Sequence, residues 1–308
     1  MPELAEVELA RRLWHPAVGE VITAVDTHPK TRIYRDCPAK VLQQLLPHTT
    51  LTATRAHGKR LLFTFSPPIT NNSLVRHSPK GDGGSPLITD NSKLITATPL
   101  QVELHLGMSG RLYATTPDHR AGKHDHFLLR TAHHTLAYND YRQFGGLKLH
   151  RHPDPWADFP PQVLDRAFTL RHLTALLDRR PRVALKALLL DQSAFPGVGN
   201  WMADEICWRL TAHPATPVGK LDPAALRTAS RTVCRGALRH VADRNFALAG
   251  TRTVAFAPGS YVHLVPPPSW LFQHRWKPGG ACPTCKKTLS RATIAGRTTA
   301  WCPACQLL

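Results

Sequence analysis

Two Cys-x-x-Cys pairs, Cys282/Cys285 and Cys302/Cys305, stand near the C-terminal end of the chain with sixteen residues between them. This spacing lets each pair grip one metal ion from one end of a β-hairpin, the zinc-ribbon arrangement. Thiolates would fill all four tetrahedral positions and leave none open for chemistry, so one structural Zn2+ ion is expected. No thioredoxin-like βαβ pattern surrounds the pairs, which argues against a redox role. The remaining cysteines, Cys37, Cys207 and Cys234, are scattered singletons and read as free thiols of a reducing compartment.

Lys and Arg outnumber Asp and Glu by 39 to 21, a net charge of +18 with histidines neutral. Such an excess points to a polyanionic partner, because each neutralised phosphate releases counterions. No apolar run approaches the roughly 20 residues that span a bilayer. The opening MPELAEVELARRLW carries charges where a signal peptide needs an apolar stretch. The expected setting is cytoplasmic, nucleoid-associated in a bacterium, with no membrane partner.

Periodicity divides the chain. Residues 3–14 read as a helix, with Leu4, Val7, Ala10 and Leu13 at three-residue steps and Glu3, Glu6 and Glu8 suited to its positive end. From about Glu20 to His150 the pattern becomes short β-runs, among them VITAVDT, LTATRAHGKRLLFTF and VELHLGMSGRLYA. Val102, Leu104 and Leu106 alternate with polar neighbours as in a half-buried strand. Residues 66–99, rich in Ser, Pro, Gly and Asn, read as a loop insertion between two strands. The expected architecture is α+β. A β-sandwich domain with flanking helices fills 1–150, a linker 151–163, a helical unit 164–248, and an irregular segment with the finger 249–308.

The segment LLLDQSAFPGVGNWMADEICWR (188–209) is the most specific stretch outside the finger. Glycines at 197 and 199 would let backbone approach a phosphate, Asn200 would cap the next helix, and that helix's free N–H groups would point at the anion. With Asn200, Asp204 and Glu205 at fixed offsets, it resembles the helix-two-turn-helix of the Fpg/Nei DNA glycosylases, the relatives of formamidopyrimidine-DNA glycosylase and endonuclease VIII. PELAEVE (2–8), HLGMSGRL (105–112), KHDHFLL (123–129), YNDYRQFGGL (138–147) and AGRTTAWCPACQ (295–306) are similar to further blocks of that family, in family order. The opening leans toward the Fpg branch.

The resemblance implies a bifunctional glycosylase and AP lyase acting as a monomer on damaged double-stranded DNA. Pro2, exposed by loss of the initiator methionine, would attack the sugar C1′ and form a Schiff base. An α-amino group, with a reference pKa of about 7.7–8.0, suits that task better than a lysine at about 10.4. Glu3 would exchange protons at the sugar, with Glu6 supporting the site. Lys59, Asn200 and Arg297 correspond to phosphate-binding positions, Arg297 being suited to bidentate contact. Met108, Arg142 and Phe144 match the set that fills the stack after a nucleotide is extruded.

The chain departs from the family pattern in places. Ala5 replaces a usual proline, Tyr141 and Gln143 stand where proline and a second arginine are common, and Leu271 replaces tyrosine before Phe272 and Gln273. Segment 251–273 lacks the glycine-rich pattern of a lesion lid, and Pro266, Pro267 and Pro268 would stiffen it. Lys186 is assigned no place in the pocket. Two other readings remain at this point. A non-catalytic damage-sensing protein on the same scaffold would keep every DNA contact without needing Pro2 or Glu3. A zinc-ribbon protein serving RNA would leave PELAEVE and GVGN without a role.

Overall fold

The computed structural model describes residues 2–28, 31–66, 99–152, 154–250, 265–276 and 278–308. The predicted first helix is α1, Leu4–Trp14. After it the chain makes two four-stranded antiparallel sheets. One has the order β1-β6-β7-β5, from Ala24–Thr27, Asp125–Arg130, Thr135–Asn139 and Arg111–Thr115. The other has the order β2-β3-β4-β8, from Thr50–His57, Arg60–Ser66, Leu100–His105 and Gly146–His150. A short helix, α2 (Ala39–Leu45), lies between β1 and β2 in sequence. The run VELHLGMSGRLYA therefore changes sheet at Leu106–Gly110. The bulk of the loop insertion, 67–98, lies outside the described residues.

The sheets face each other across one apolar core holding Leu61, Phe63, Phe65, Val102, Leu104, Phe127, Leu129, Leu136 and Tyr138. Alternation along β4 sends Val102 and Leu104 inward as expected. The strand is not half-buried, however: Gln101 and Glu103 on its other face are also buried. The predicted linker covers that face: Trp156 donates its indole N–H to Glu103 at 2.9 Å, and the Gln101 amide donates to the His152 carbonyl at 2.9 Å.

The helical unit has α3 (Leu170–Asp178) as its first helix and continues with α4 (Leu185–Leu190), α5 (Asn200–Arg209) and α6 (Pro223–Ala237). A π-helical turn over Leu238–Asp243 then leads into α7, Arg244–Gly250. Thr169 and Asp222 cap α3 and α6 with side-chain oxygens, as short polar residues do. Their core includes Leu173, Leu177, Leu189, Phe195, Met202, Ile206 and Val233. The finger is a hairpin of β9 (Ser290–Ile294) and β10 (Arg297–Trp301), turned by Ala295 and Gly296 at positive φ. Among the described residues no helix is long and apolar enough to cross a membrane.

Helix α1 belongs to both lobes. Leu4 and Ala5 sit in the helical core, and Val7, Ala10 and Trp14 in the sandwich core. Leu9 and Leu13 join Tyr113, Leu128 and Ala137 from the strands to Ala242 from the π-helical turn. The first residues of the chain are thereby fixed where the lobes meet.

Candidate active site

Glu3, only 2% exposed, precedes α1 with its carboxylate against the N-terminus of α5. It accepts backbone N–H groups from Gly199 and Trp201 at 3.0 Å each and from Met202 at 3.2 Å. The sequence expectation changes here. The N-cap of α5 is Gly199, in extended conformation, and Asn200 is the first helical residue. The free N–H groups expected to cradle a phosphate are taken by Glu3, an anion from the chain's own start. The glycines serve this approach. A Cβ on Gly199 would lie 2.3 Å from Glu3 Cδ, and one on Gly197, at φ +86°, would lie 2.9 Å from Leu4 Cβ.

Burial, with the neighbouring Glu6, pushes the Glu3 carboxyl up to about 7, while the α5 N–H groups and Lys59 pull the other way. Glu6 is also raised by burial, and its Oε2 accepts the Glu3 N–H at 3.1 Å. The Lys59 ammonium is held below its ordinary range by burial and by Arg297, an effect opposed by Glu3 and Glu6. Lys59 on the β2–β3 turn, Arg297 at the start of β10 and the two carboxylates thus share one electrostatic neighbourhood.

Pro2 and Glu6 line a cavity of about 300 Å³ walled by α1, the Met108 loop, the π-helical turn and the segment before the finger. Its apolar walls include Leu9, Leu106, Leu112 and Val241, with Ser109, Arg111, Tyr141 and Asn245 as polar groups. Pro266 and Phe272 also line it. Residues 251–264, most of the segment compared above with a lesion lid, lie outside the described residues. Lys186 does not line this cavity.

Met108, which lines this cavity, is 44% exposed and Phe144 45%, and the Arg142 guanidinium lies 4.8 Å from the Phe144 ring centre. Their two loops are locked by buried Asp140. It accepts from Ser109 Oγ at 2.5 Å, Gly145 N at 2.9 Å, Tyr138 OH at 3.2 Å and Arg142 N at 3.3 Å. An Asp one residue before Tyr141 was part of a matched block, yet nothing in the sequence revealed its inward orientation.

The Asn200 amide donates to the Thr298 carbonyl at 3.0 Å, tying α5 to the finger. A second tie was missed in the sequence. Buried Asp204 pairs with the Lys186 ammonium and with Arg275 at 2.6 Å, and accepts Ala300 N–H at 3.1 Å. Lys186 also donates to the Asn200 carbonyl at 2.7 Å. The available signal was a charged residue inside each apolar helical run, LKALLL and WMADEICW.

The ligand atoms of Cys282, Cys285, Cys302 and Cys305 all lie within 4.8 Å of one another. A tetrahedral ion with bonds of about 2.3 Å sets its sulfurs about 3.8 Å apart, so the cluster can hold one metal ion. The Trp208 indole N–H of α5 donates to Cys282 Sγ at 3.4 Å.

A two-sheet sandwich and a helical unit meet at α1, with a four-cysteine hairpin tied to α5; this combination defines the class of two-lobed protein to which the chain belongs. Residues 1–147 match the formamidopyrimidine-DNA glycosylase N-terminal domain and 159–243 the formamidopyrimidine-DNA glycosylase H2TH domain. The chain belongs to the formamidopyrimidine-DNA glycosylase family. Among its relatives, the formamidopyrimidine-DNA glycosylase of Teredinibacter turnerae is 32% identical over 99% of this chain and 100% of its own. The formamidopyrimidine-DNA glycosylase of Methylococcus capsulatus is 30% identical over 99% of this chain and 100% of its own. The fold is shared with Lactococcus lactis formamidopyrimidine-DNA glycosylase bound non-covalently to DNA containing an AP site (TM-score 0.73, 21% identity, 99% of this chain and 100% of that one). It is shared equally with that enzyme in complex with DNA containing an N7-benzyl-Fapy-dG (TM-score 0.73, 23% identity, full coverage of both).

Proposed function

We propose that the protein is a bifunctional DNA glycosylase and AP lyase of base excision repair, acting on oxidised or ring-opened bases in duplex DNA. One observation carries this reading: Pro2 lines a base-sized cavity while its neighbour Glu3 is buried at the α5 N-terminus with a carboxyl near 7. Removal of the initiator methionine, which a small second residue permits, frees the proline nitrogen as a secondary amine. Its lone pair forms a bond to C1′, the bond from C1′ to the base breaks, and the base leaves with those electrons and a proton. The sugar ring opens to a Schiff base. Loss of a C2′ proton then expels the 3′ phosphate, and a further elimination can release the 5′ side. A carboxyl poised near neutral pH can both give and take the protons.

Lys59, Asn200 and Arg297 hold the phosphates around the extruded nucleotide. Asn200 has a second amide N–H for this purpose beside the one bonded to Thr298. Met108, Arg142 and Phe144 enter the vacated stack, and their exposure on two loops pinned by Asp140 supports this. The four cysteines hold one Zn2+, which keeps the Arg297 hairpin in shape. We divide the chain into a catalytic sandwich (1–150), linker (151–163), helix-two-turn-helix unit (164–248) and a segment ending in the finger (249–308). It works as a monomer on chromosomal DNA in the cytoplasm.

Borohydride should trap a covalent complex between abasic-site duplex and protein whose N-terminus is verified as Pro2. Pro2→Gly should depress that chemistry far more than DNA affinity. Absence of trapping by the verified protein would leave a DNA-binding scaffold without chemistry.

A further inference from the structure

The segment joining the lobes is not a free tether. Its Trp156 is 4% exposed and stacks on Phe159, ring centres 5.7 Å apart at 19°. His57 packs against both rings, at 6.0 and 5.3 Å. The Arg55 and Arg60 guanidinium groups lie over Trp156 and Phe159 at 5.5 and 5.7 Å. All three of these basic residues flank one turn, the tip of the β2–β3 hairpin that presents Lys59.

The same segment then grips the turn directly. Gln162 Oε1 accepts the Gly58 N–H at 2.8 Å, and the Gln162 backbone is itself held by its N–H donating to Asp165 at 2.8 Å. Gly58 has φ +58°, and from the other side the turn meets the helical lobe. A Cβ on Gly58 would lie 3.2 Å from Pro196 Cβ and 3.3 Å from Gly197 N. The residue before Lys59 is therefore clamped between the linker and the turn that receives Glu3.

We propose that Gln162 is a positioning residue for Lys59: the linker sets where the ammonium stands relative to Glu3, Glu6 and Arg297. The inference rests on the reading of Lys59 as a DNA-contacting group of the reaction. Lys59 follows Gly58 directly, so a small rotation of the freed turn is amplified along the lysine's four-carbon stem. A misplacement of about 1 Å is enough to cost on the order of a hundredfold in rate. A partial loosening, with water replacing the lost acceptor, predicts less. Space for that water exists, since Gln162 borders a crevice of about 170 Å³ with Gly58, Leu4 and Leu238.

The test is single-turnover strand cleavage at saturating protein, alongside affinity for a duplex carrying a tetrahydrofuran abasic analogue. Gln162→Ala and Gln162→Met should each cleave about tenfold more slowly with affinity within about twofold of wild type. Gln162→Glu, which keeps an acceptor at the same reach, should restore the rate. A wild-type rate in Gln162→Ala overturns the inference. So does equal loss in Gln162→Glu, which would point to packing rather than to the hydrogen bond. Lys59→Ala is run beside them: if it cleaves normally, the reading of Lys59 fails and takes the inference with it. If it is impaired while Gln162→Ala is not, only the positioning role fails.

Discussion

Gly199→Ala should cripple the protein although position 199 carries no side chain for chemistry. The new Cβ would stand 2.4 Å from Glu3 Oε1 and 2.3 Å from Cδ, so the carboxyl must retreat by about 1 Å to reach ordinary contact. Retreat breaks or stretches three N–H bonds now at 3.0, 3.0 and 3.2 Å. Hydrogen bonds to a charged group contribute about 1.5–3 kcal/mol each and are not additive, and leaving the donors buried adds cost. With the carboxyl partly neutral near pH 7, a net loss of roughly 3 kcal/mol is expected, or a Tm lower by about 6 °C. The displaced Glu3 also carries Pro2 with it, and a shift of about 1 Å at a reacting group costs on the order of a hundredfold in rate. Thermal unfolding and single-turnover base release from a lesion duplex measure the two effects. A wild-type rate together with an unchanged Tm would refute the claim that Gly199 exists to admit Glu3.

Burial and Glu6 raise the Glu3 carboxyl to about 7, whereas an unfolded glutamate titrates near 4.3. Its contribution to stability is therefore fully present below about pH 4.3 and lost as pH rises through about 7. Urea midpoints between pH 5 and 7.5 should fall more steeply for wild type than for Glu3→Gln, and parallel curves would contradict this. Lys186→Met leaves Asp204 with only Arg275 as its ion-pair partner in a buried site, so a loss of about 3 kcal/mol in denaturant unfolding is expected; a change below about 1 kcal/mol would count against the network. Chelating the metal should disorder the hairpin bearing Arg297 and weaken binding to abasic duplex. A change in Trp208 fluorescence should accompany it, because that indole bonds Cys282; unaltered affinity in demetallated protein would contradict the finger's assigned role.

The elements that were legible share a physical cause. Strand alternation at Val102 and Leu104, helical spacing at Leu4, Val7, Ala10 and Leu13, and the cysteine spacing are local patterns, and the fold follows them. The family motifs located Pro2, Glu3, Lys59, Asn200 and Arg297, and the structure brings Glu3, Lys59 and Arg297 into one electrostatic neighbourhood. What escaped was long-range. The GVG turn has the local chemistry of an anion cradle, but its anion, Glu3, comes from about two hundred residues away. Gln101 and Glu103 read as solvent-facing until the linker, through His152 and Trp156, covers them. Asp140 and Asp204 stand within matched blocks, but the partners on other elements that justify burying them are not visible in the sequence.

Because α1 supplies side chains to both cores and to the small cluster between them, neither lobe can be finished without it. A growing polypeptide leaves Leu4 and Ala5 bare until Leu189, Phe195 and Met202 have been made, and Leu9 and Leu13 lack their last neighbour until Ala242 emerges. Glu3 has no seat before the α5 amides exist. A half-synthesised product therefore carries Glu3 beside Glu6 and Lys59, but without the α5 amides that seat its carboxylate or the Arg297 hairpin that faces Lys59.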